Sequence, residues 1–292
     1  MTSLPSPPAS IPMINTLKSV KSACGAALIE RLRALRWHPY QRNCPMIRAA
    51  LERMPREQLL YAVNISDRHR YVYMDNPKTG CSSLKSALVQ LELKDSQTHM
   101  DHYDWRVFHD RSVSPLTRLD NLQHPTSLSA LRSEGYRFIT MVRNPYTRLL
   151  SCYRDKILGN SFQKREILQV LGKADQPIET MVTFAEFIRS ISGQQDIEMN
   201  PHWRTQTSHI LHGIVEYDFI GRFETYARDF IESFRVLGIA EEDIPEQRHL
   251  NRTKTDASEH CRDFYTPELQ EAVYQRFRPD FEIFGYSSEI PL

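Results

Sequence analysis

The chain has 292 residues, 40% hydrophobic and 25% charged, an ordinary balance for a globular protein with length for one large domain or two modest ones. A formal net charge of +1 gives no global pull toward nucleic acid, so an anion site has to be built locally. Five cysteines, at 24, 44, 81, 152 and 261, are odd in number and lack CxxC spacing, which argues against a disulfide framework and a zinc site and for a reducing compartment. No stretch approaches the ~18 uninterrupted apolar residues of a membrane helix. The opening MTSLPSPPASIP lacks the charged start and apolar centre of a secretory signal. These features predict no integral membrane segment and a cytoplasmic location.

Residues 1–15 read as a disordered Ser/Pro-rich tail, 16–65 as a helical N-terminal extension and 66–292 as the main domain. In the extension Leu28, Leu32 and Leu35 fall at helical spacing. Seven Lys/Arg against the single acid Glu30 between Lys18 and Arg48 suit a solvated helix packed on the domain, with peripheral contact to an anionic membrane as the other use. The core is expected to begin near Tyr71. A strand at 71–74 runs into NPKTGCSSLK (76–85), then a helix with Leu84, Leu88 and Leu91 on one face. Residues 95–127 are polar and irregular and carry His99, His102, His109 and His124. A second strand at 136–142 enters RNPYTRLLSCYRDKI, a second helix. Helical patterns follow at 182–191 and 224–236, a third strand at 215–221, and a final helix at 267–277. Strands alternating with helices predict an α/β fold with a central, mostly parallel sheet flanked by helices.

Two loops carry chemistry. In the first, a helix N-terminus supplies unpaired amides and partial positive charge. Gly80 permits close approach, Thr79, Ser82 and Ser83 offer hydroxyls, and Lys78 brings a full charge, together an anion cradle. The lysine precedes the glycine, so this is not the GxxxxGK[ST] loop of the nucleotide kinases. In the second, VRNPYTRLLSCYRDK (142–156), Asn144 caps a helix that has Pro145 at its first position. Tyr146, Leu149, Leu150, Tyr153 and Ile157 form its apolar stripe, and Arg148, Ser151 and Asp155 fall on the other side. Arg143 and Ser151 can converge on one anion, a guanidinium fork suiting phosphate. The plainer use of these arginines is surface pairing with Asp155 or Glu134, and for Arg148 both uses stay open. Arg143 sits at a strand end like Lys78, where ligands of open α/β sheets collect.

Together the two stretches resemble the sulfotransferases that use 3′-phosphoadenosine-5′-phosphosulfate (PAPS). PKTGCSS (Pro77, Lys78, Thr79, Gly80, Cys81, Ser82, Ser83) is similar to their 5′-phosphosulfate loop, and Arg143 and Ser151 fall on the two ligand positions for the 3′-phosphate. A third stretch (200–230), with His202–Trp203, the Tyr-Asp-Phe-Ile-Gly run at 217–221 and Glu224–Thr225, resembles the carbohydrate sulfotransferases of the HNK-1 and chondroitin 4-O type. The resemblance covers about residues 70–240 and implies a P-loop-like three-layer fold, a small-molecule or glycan acceptor, PAPS as donor and no metal. It also suggests Arg252 in HLNRTK as a late contact to the 3′-phosphate, the alternative being a polar connecting loop. Animal members carry an N-terminal anchor not seen here, and have cysteines where this chain has Ile210 and Gly213.

The transfer needs a group to neutralise charge on the leaving phosphate, expected to be Lys78, and a base to take the acceptor proton. The histidines between the two loops qualify as bases, with His109 in WRVFHDRS favoured because Asp110 can orient it, and His102 and His124 close behind. His202 beside Trp203 reads as pocket-shaping or as packing. A nucleotide kinase and a non-catalytic nucleotide-binding module on the same scaffold are the rival classes.

Overall fold

A computed structural model of the chain describes residues 44–94, 114–120, 128–247 and 260–291. The predicted tail, most of the predicted basic extension and the loop histidines lie outside the described residues.

Helices α1 (Pro45–Arg53) and α2 (Arg56–Ala62) lead into strand β1 (Val63–Ser66), which pairs antiparallel with β2 (Tyr71–Met74). After the PKTG turn comes α3 (Cys81–Leu93), and after it α4 (Leu128–Ser133) and β3 (Arg137–Val142), parallel to β2 with Tyr71 opposite Arg137. Helix α5 (Pro145–Cys152) widens into a π-helical turn at Tyr153–Leu158, followed by α6 (Lys164–Val170), α7 (Phe184–Ser192) and the short α8 (Gln206–His209). Strand β4 (Phe219–Arg222) pairs parallel with β3, and α9 (Tyr226–Val236), α10 (Cys261–Phe264) and α11 (Pro267–Phe284) complete the described chain. The sheet order is β1-β2-β3-β4, two pairings parallel and one antiparallel. This is an α/β fold with a mostly parallel sheet flanked by helices.

Strand alternation sorts the core. Val72, Met74, Phe138 and Val142 join Ile47 and Ala50 of α1 and Leu59 of α2 on one face. Tyr71, Tyr73, Ile139 and Met141 meet Leu84 and Leu88 of α3 and Phe230 and Phe234 of α9 on the other. Each Leu so buried contributes about 1.5–3 kcal/mol. A further cluster gathers Leu149 and Leu150 of α5, Phe187 of α7, Trp203, and Val273 and Phe281 of α11.

Three sequence expectations shift. The packed core starts at Cys44 rather than near Tyr71, because α1 and α2 carry apolar residues onto the sheet. The third strand begins at Phe219, not 215, because Val215 packs in a turn while the Asp218 carboxylate accepts the Phe138 amide at 2.8 Å. The last helix does not stop at 277: it bends at Phe277, whose backbone leaves helical geometry two residues before Pro279, and runs on so that Phe281 and Phe284 stay buried.

Candidate active site

Parallel pairing sets the C-terminal ends of β2 and β3 side by side, so the turns that leave them are neighbours. Asn76 Nδ2 donates to Met141 O at 2.8 Å, and Thr140 Oγ1 donates to Met74 O at 2.8 Å. Gln206 fastens the second turn from below: its Oε1 accepts the Arg143 amide at 2.8 Å and its Nε2 donates to Arg143 O at 2.7 Å. The buried Asp280 of α11 accepts the Gln206 and Thr207 amides at 2.7 and 2.8 Å and so caps α8. Glu224 supports the same turn from the β4 side, accepting the Asn144 amide at 2.7 Å and the Tyr286 hydroxyl at 3.1 Å.

The first turn is shaped for close approach. Gly80 is left-handed (φ 81°), and a Cβ there would sit 2.4 Å from the Tyr226 ring, whose hydroxyl donates to Gly80 O at 3.0 Å. Lys78 is also left-handed (φ 73°), a conformation costing a non-glycine residue about 1–2 kcal/mol and concentrated at functional sites. Among the described residues the backbone amides of Thr79, Gly80 and Cys81 find no acceptor. The Thr79 hydroxyl is spent inside the turn, on Asn76 O at 2.7 Å. Ser82 is half-buried and Ser83 buried on the first turn of α3. Burial, then the nearby Asp75, pushes the Cys81 thiol up to about 12, so it is no thiolate nucleophile at neutral pH.

Positive charge converges here. Lys78 Nζ pairs with Asp155 at 2.8 Å and keeps 14% exposure. Burial would raise the Asp155 carboxyl, but Lys78 and then Lys156 outweigh it and hold the group below its ordinary value. Arg143 is buried, donates from Nε to Thr147 Oγ1 at 3.0 Å and from Nη1 to Lys78 O at 3.3 Å, and lies 4.1 Å over the Phe223 ring. Desolvation brings its pKa down to about 10 against the pull of Glu224, which leaves it charged at neutral pH. Ser151 is buried on α5, and among the described residues its hydroxyl has no hydrogen-bond partner.

Arg148 does not make the surface pair weighed from sequence. It is fully buried and donates to three backbone carbonyls, Pro77 at 3.0 Å, Arg204 at 2.8 Å and Pro201 at 3.1 Å. Every residue from Pro145 to Tyr153 is buried, so the polar side of α5 faces the first turn and residues 201–204 rather than water. Trp203 is buried edge-on to Phe187, its indole N–H donating to Gln194 at 3.2 Å. The structure thus brings together Pro77, Lys78, Thr79, Gly80, Cys81, Ser82, Ser83 and Arg143. His109 and Arg252 lie outside the described residues. Sequence reasoning missed Asp155, Gln206, Glu224 and Asp280 as partners of this site. Asp155 had been read only as a surface partner of the arginines, and Gln206 and Glu224 lie in the resembling stretch.

The family model described as the sulfotransferase family matches residues 61–287, and the chain belongs to that family. It is 29% identical to carbohydrate sulfotransferase 14 of Danio rerio over 92% of this chain and 70% of the relative. It is 26% identical to carbohydrate sulfotransferase 9 of Homo sapiens over 77% of this chain and 53% of the relative. With carbohydrate sulfotransferase 8 of Homo sapiens the identity is 28%, over 85% and 61% respectively. The chain thus spans 53–70% of the length of these three relatives. No solved structure gives a significant match.

Proposed function

We propose that the chain transfers a sulfuryl group from PAPS to a hydroxyl of a carbohydrate or related metabolite, on a P-loop-like three-layer scaffold. The observation that carries this reading is the junction of Lys78 and Arg143 at two adjacent parallel strand ends, joined by the 3.3 Å bond from Arg143 to Lys78 O. The donor set fits a polyanionic nucleotide: free amides at 79–81, hydroxyls on the first turn of α3, one ammonium and one guanidinium. The sulfuryl group itself comes from the nucleotide. Lys78 faces the charge that gathers on the departing phosphate, with the amides and Ser82 and Ser83 holding the phosphosulfate end. Arg143 and Ser151 hold the 3′-phosphate, with Arg252 as a further contact. Exchange of Asp155 for phosphate oxygens gives Lys78 its partner in the loaded enzyme. The scheme calls on no metal.

The glycan acceptor is suggested by the names of the relatives. The cytoplasmic setting rests on Cys44, Cys81, Cys152 and Cys261, all free among the described residues. Full-length chain recovered in a secretory fraction would overturn that setting. No helix among the described residues is long and apolar enough to cross a membrane.

The test of the donor is binding. 3′-Phosphoadenosine 5′-phosphate (PAP) at 100 times its Kd should stabilise the protein by about 2.7 kcal/mol in thermal shift, with a matching isotherm in calorimetry. ATP with magnesium should give no comparable shift, and the reverse order would restore the kinase reading.

A further inference from the structure

We propose that His202 is the base that takes the proton from the acceptor hydroxyl, with Asn200 and Glu166 as the residues that position it. The inference rests on the sulfuryl-transfer reading above. It begins at Arg148, whose one guanidinium grips Pro77 O through Nε and Pro201 O through Nη2, at 3.0 and 3.1 Å. The residues that follow those two carbonyls are Lys78 and His202. A single buried clamp therefore ties the backbone leading into the lysine to the backbone leading into the histidine, and the Lys78 charge acts on the His202 ring.

The ring is oriented by a defined chain of bonds. Asn200 Nδ2 donates to Glu166 Oε1 at 2.6 Å, which fixes the amide so that its oxygen points the other way. That oxygen accepts the His202 backbone amide at 3.1 Å and meets His202 Nδ1 at 2.7 Å. An amide oxygen can only accept, so Nδ1 carries the hydrogen and Nε2 carries the lone pair. Among the described residues the ring's hydrogen bond runs through Nδ1, and none engages Nε2. A half-buried imidazole with a fixed tautomer and an unengaged basic nitrogen, within the field of the lysine proposed to receive the leaving group's charge, is the arrangement general-base catalysis requires.

Burial, and then the charged groups around the ring, keep it neutral before nucleotide binds. Burial first, then Lys156, Lys78 and Arg148 against Asp155, push the imidazole down to about 3. Glu166 acts on it only through Asn200. A bound polyanion pairs with the cations and removes their share of this depression, which raises the basicity of Nε2 in the loaded site. In the transfer step the acceptor O–H bond breaks and its proton passes to Nε2. The acceptor oxygen forms a bond to sulfur, and the bond from sulfur to the phosphate oxygen breaks with its electron pair left on the nucleotide, beside Lys78.

The experiment uses the full chain with PAP, and labelled PAPS with a panel of unsulfated chondroitin oligosaccharides. His202→Ala and His202→Gln should bind PAP within about threefold of the parent in calorimetry and lose transfer by about 10²- to 10⁴-fold. Nitrogen NMR of the imidazole should show the Nδ1–H tautomer and an upward shift of its titration when PAP is added. Asn200→Ala should release the tautomer and lower kcat more than it raises KM. His202→Gln with near-parental transfer, or an Nε2–H tautomer, or a titration indifferent to PAP, would each overturn the assignment. If PAP binds and no oligosaccharide accepts sulfate, the NMR result decides. If the parent binds neither PAP nor PAPS, the sulfuryl-transfer reading itself falls, and the base with it.

Discussion

Lys78 stands between a strained backbone and a carboxylate it can exchange. Its pair with Asp155 is partly exposed, 14% and 30%, so losing it costs less than about 1 kcal/mol of stability. Lys78→Ala should therefore melt close to the parent while transfer drops by about 10²- to 10³-fold, the loss typical of one preorganised electrostatic donor. Near-parental turnover would remove Lys78 from the reaction. Arg143→Ala should weaken PAP far more than 5′-AMP, because only the former carries the 3′-phosphate; titrations showing equal weakening would take the arginine out of that contact. Lys78 and Arg143 could be singled out in the sequence because each ends an apolar run and precedes a helix start. Their partners could not. Asp155, Gln206 and Asp280 lie 77, 63 and 74 residues from the groups they bind, and no local pattern encodes which buried polar atoms will meet.

Helix α7 shows how a local signal does work over one turn. Thr183 accepts the Glu186 amide at 3.2 Å, and Glu186 answers by accepting the Thr183 amide at 2.8 Å, the reciprocal cap its sequence spacing permits. The hydrogen bond from Lys173, followed by those from Thr183, draws the Glu186 carboxyl down to about 2. A carboxyl lowered by folding stabilises the protein above its unfolded value of about 4.3 and loses that contribution as pH falls toward 2. Glu186→Gln should thus lower Tm at pH 6, and the two melting curves should converge as acid is added. Parallel curves down to pH 2 would contradict the coupling. Strands β2 and β3 and helices α3 and α5 lie where their apolar spacing predicts. Strand β1 went unread because VNIS alternates over only four residues, too short a run to stand out, and it takes shape only against the edge of β2.

Across the molecule, one arginine of α5 ties together two distant stretches of backbone, the first turn at Pro77 and the 201–204 segment. Arg148→Ala would leave the Pro77, Pro201 and Arg204 carbonyls buried without their donor. A loss of about 3–5 kcal/mol follows, comparable to breaking a buried charged contact, and a fall in Tm on the order of 10 °C. Arg148→Lys should recover little, since one ammonium cannot span three carbonyls arranged around a planar fork. Full recovery by lysine in a calorimetric melt would show that charge, not geometry, is what the site requires. The layered α/β architecture was readable from alternating strands and helices. The burial of the whole of α5 was not, because its polar side chains suggest a solvent face that the 201–204 segment covers.

The π-helical turn at Tyr153–Leu158 places one more residue in a single turn than a regular helix allows, and Gly159 closes it where any Cβ would stand 2.3 Å from Asp155 O. The width of that turn aims Asp155 at the lysine. Deleting one residue between Cys152 and Gly159 would tighten the coil, swing the carboxylate about a quarter-turn round the axis and leave the ammonium facing solvent. The counter-ion of Lys78, which the proposed nucleotide would displace, is thus set by a length, the number of residues between two fixed points, and a substitution scan that preserves length would never expose it.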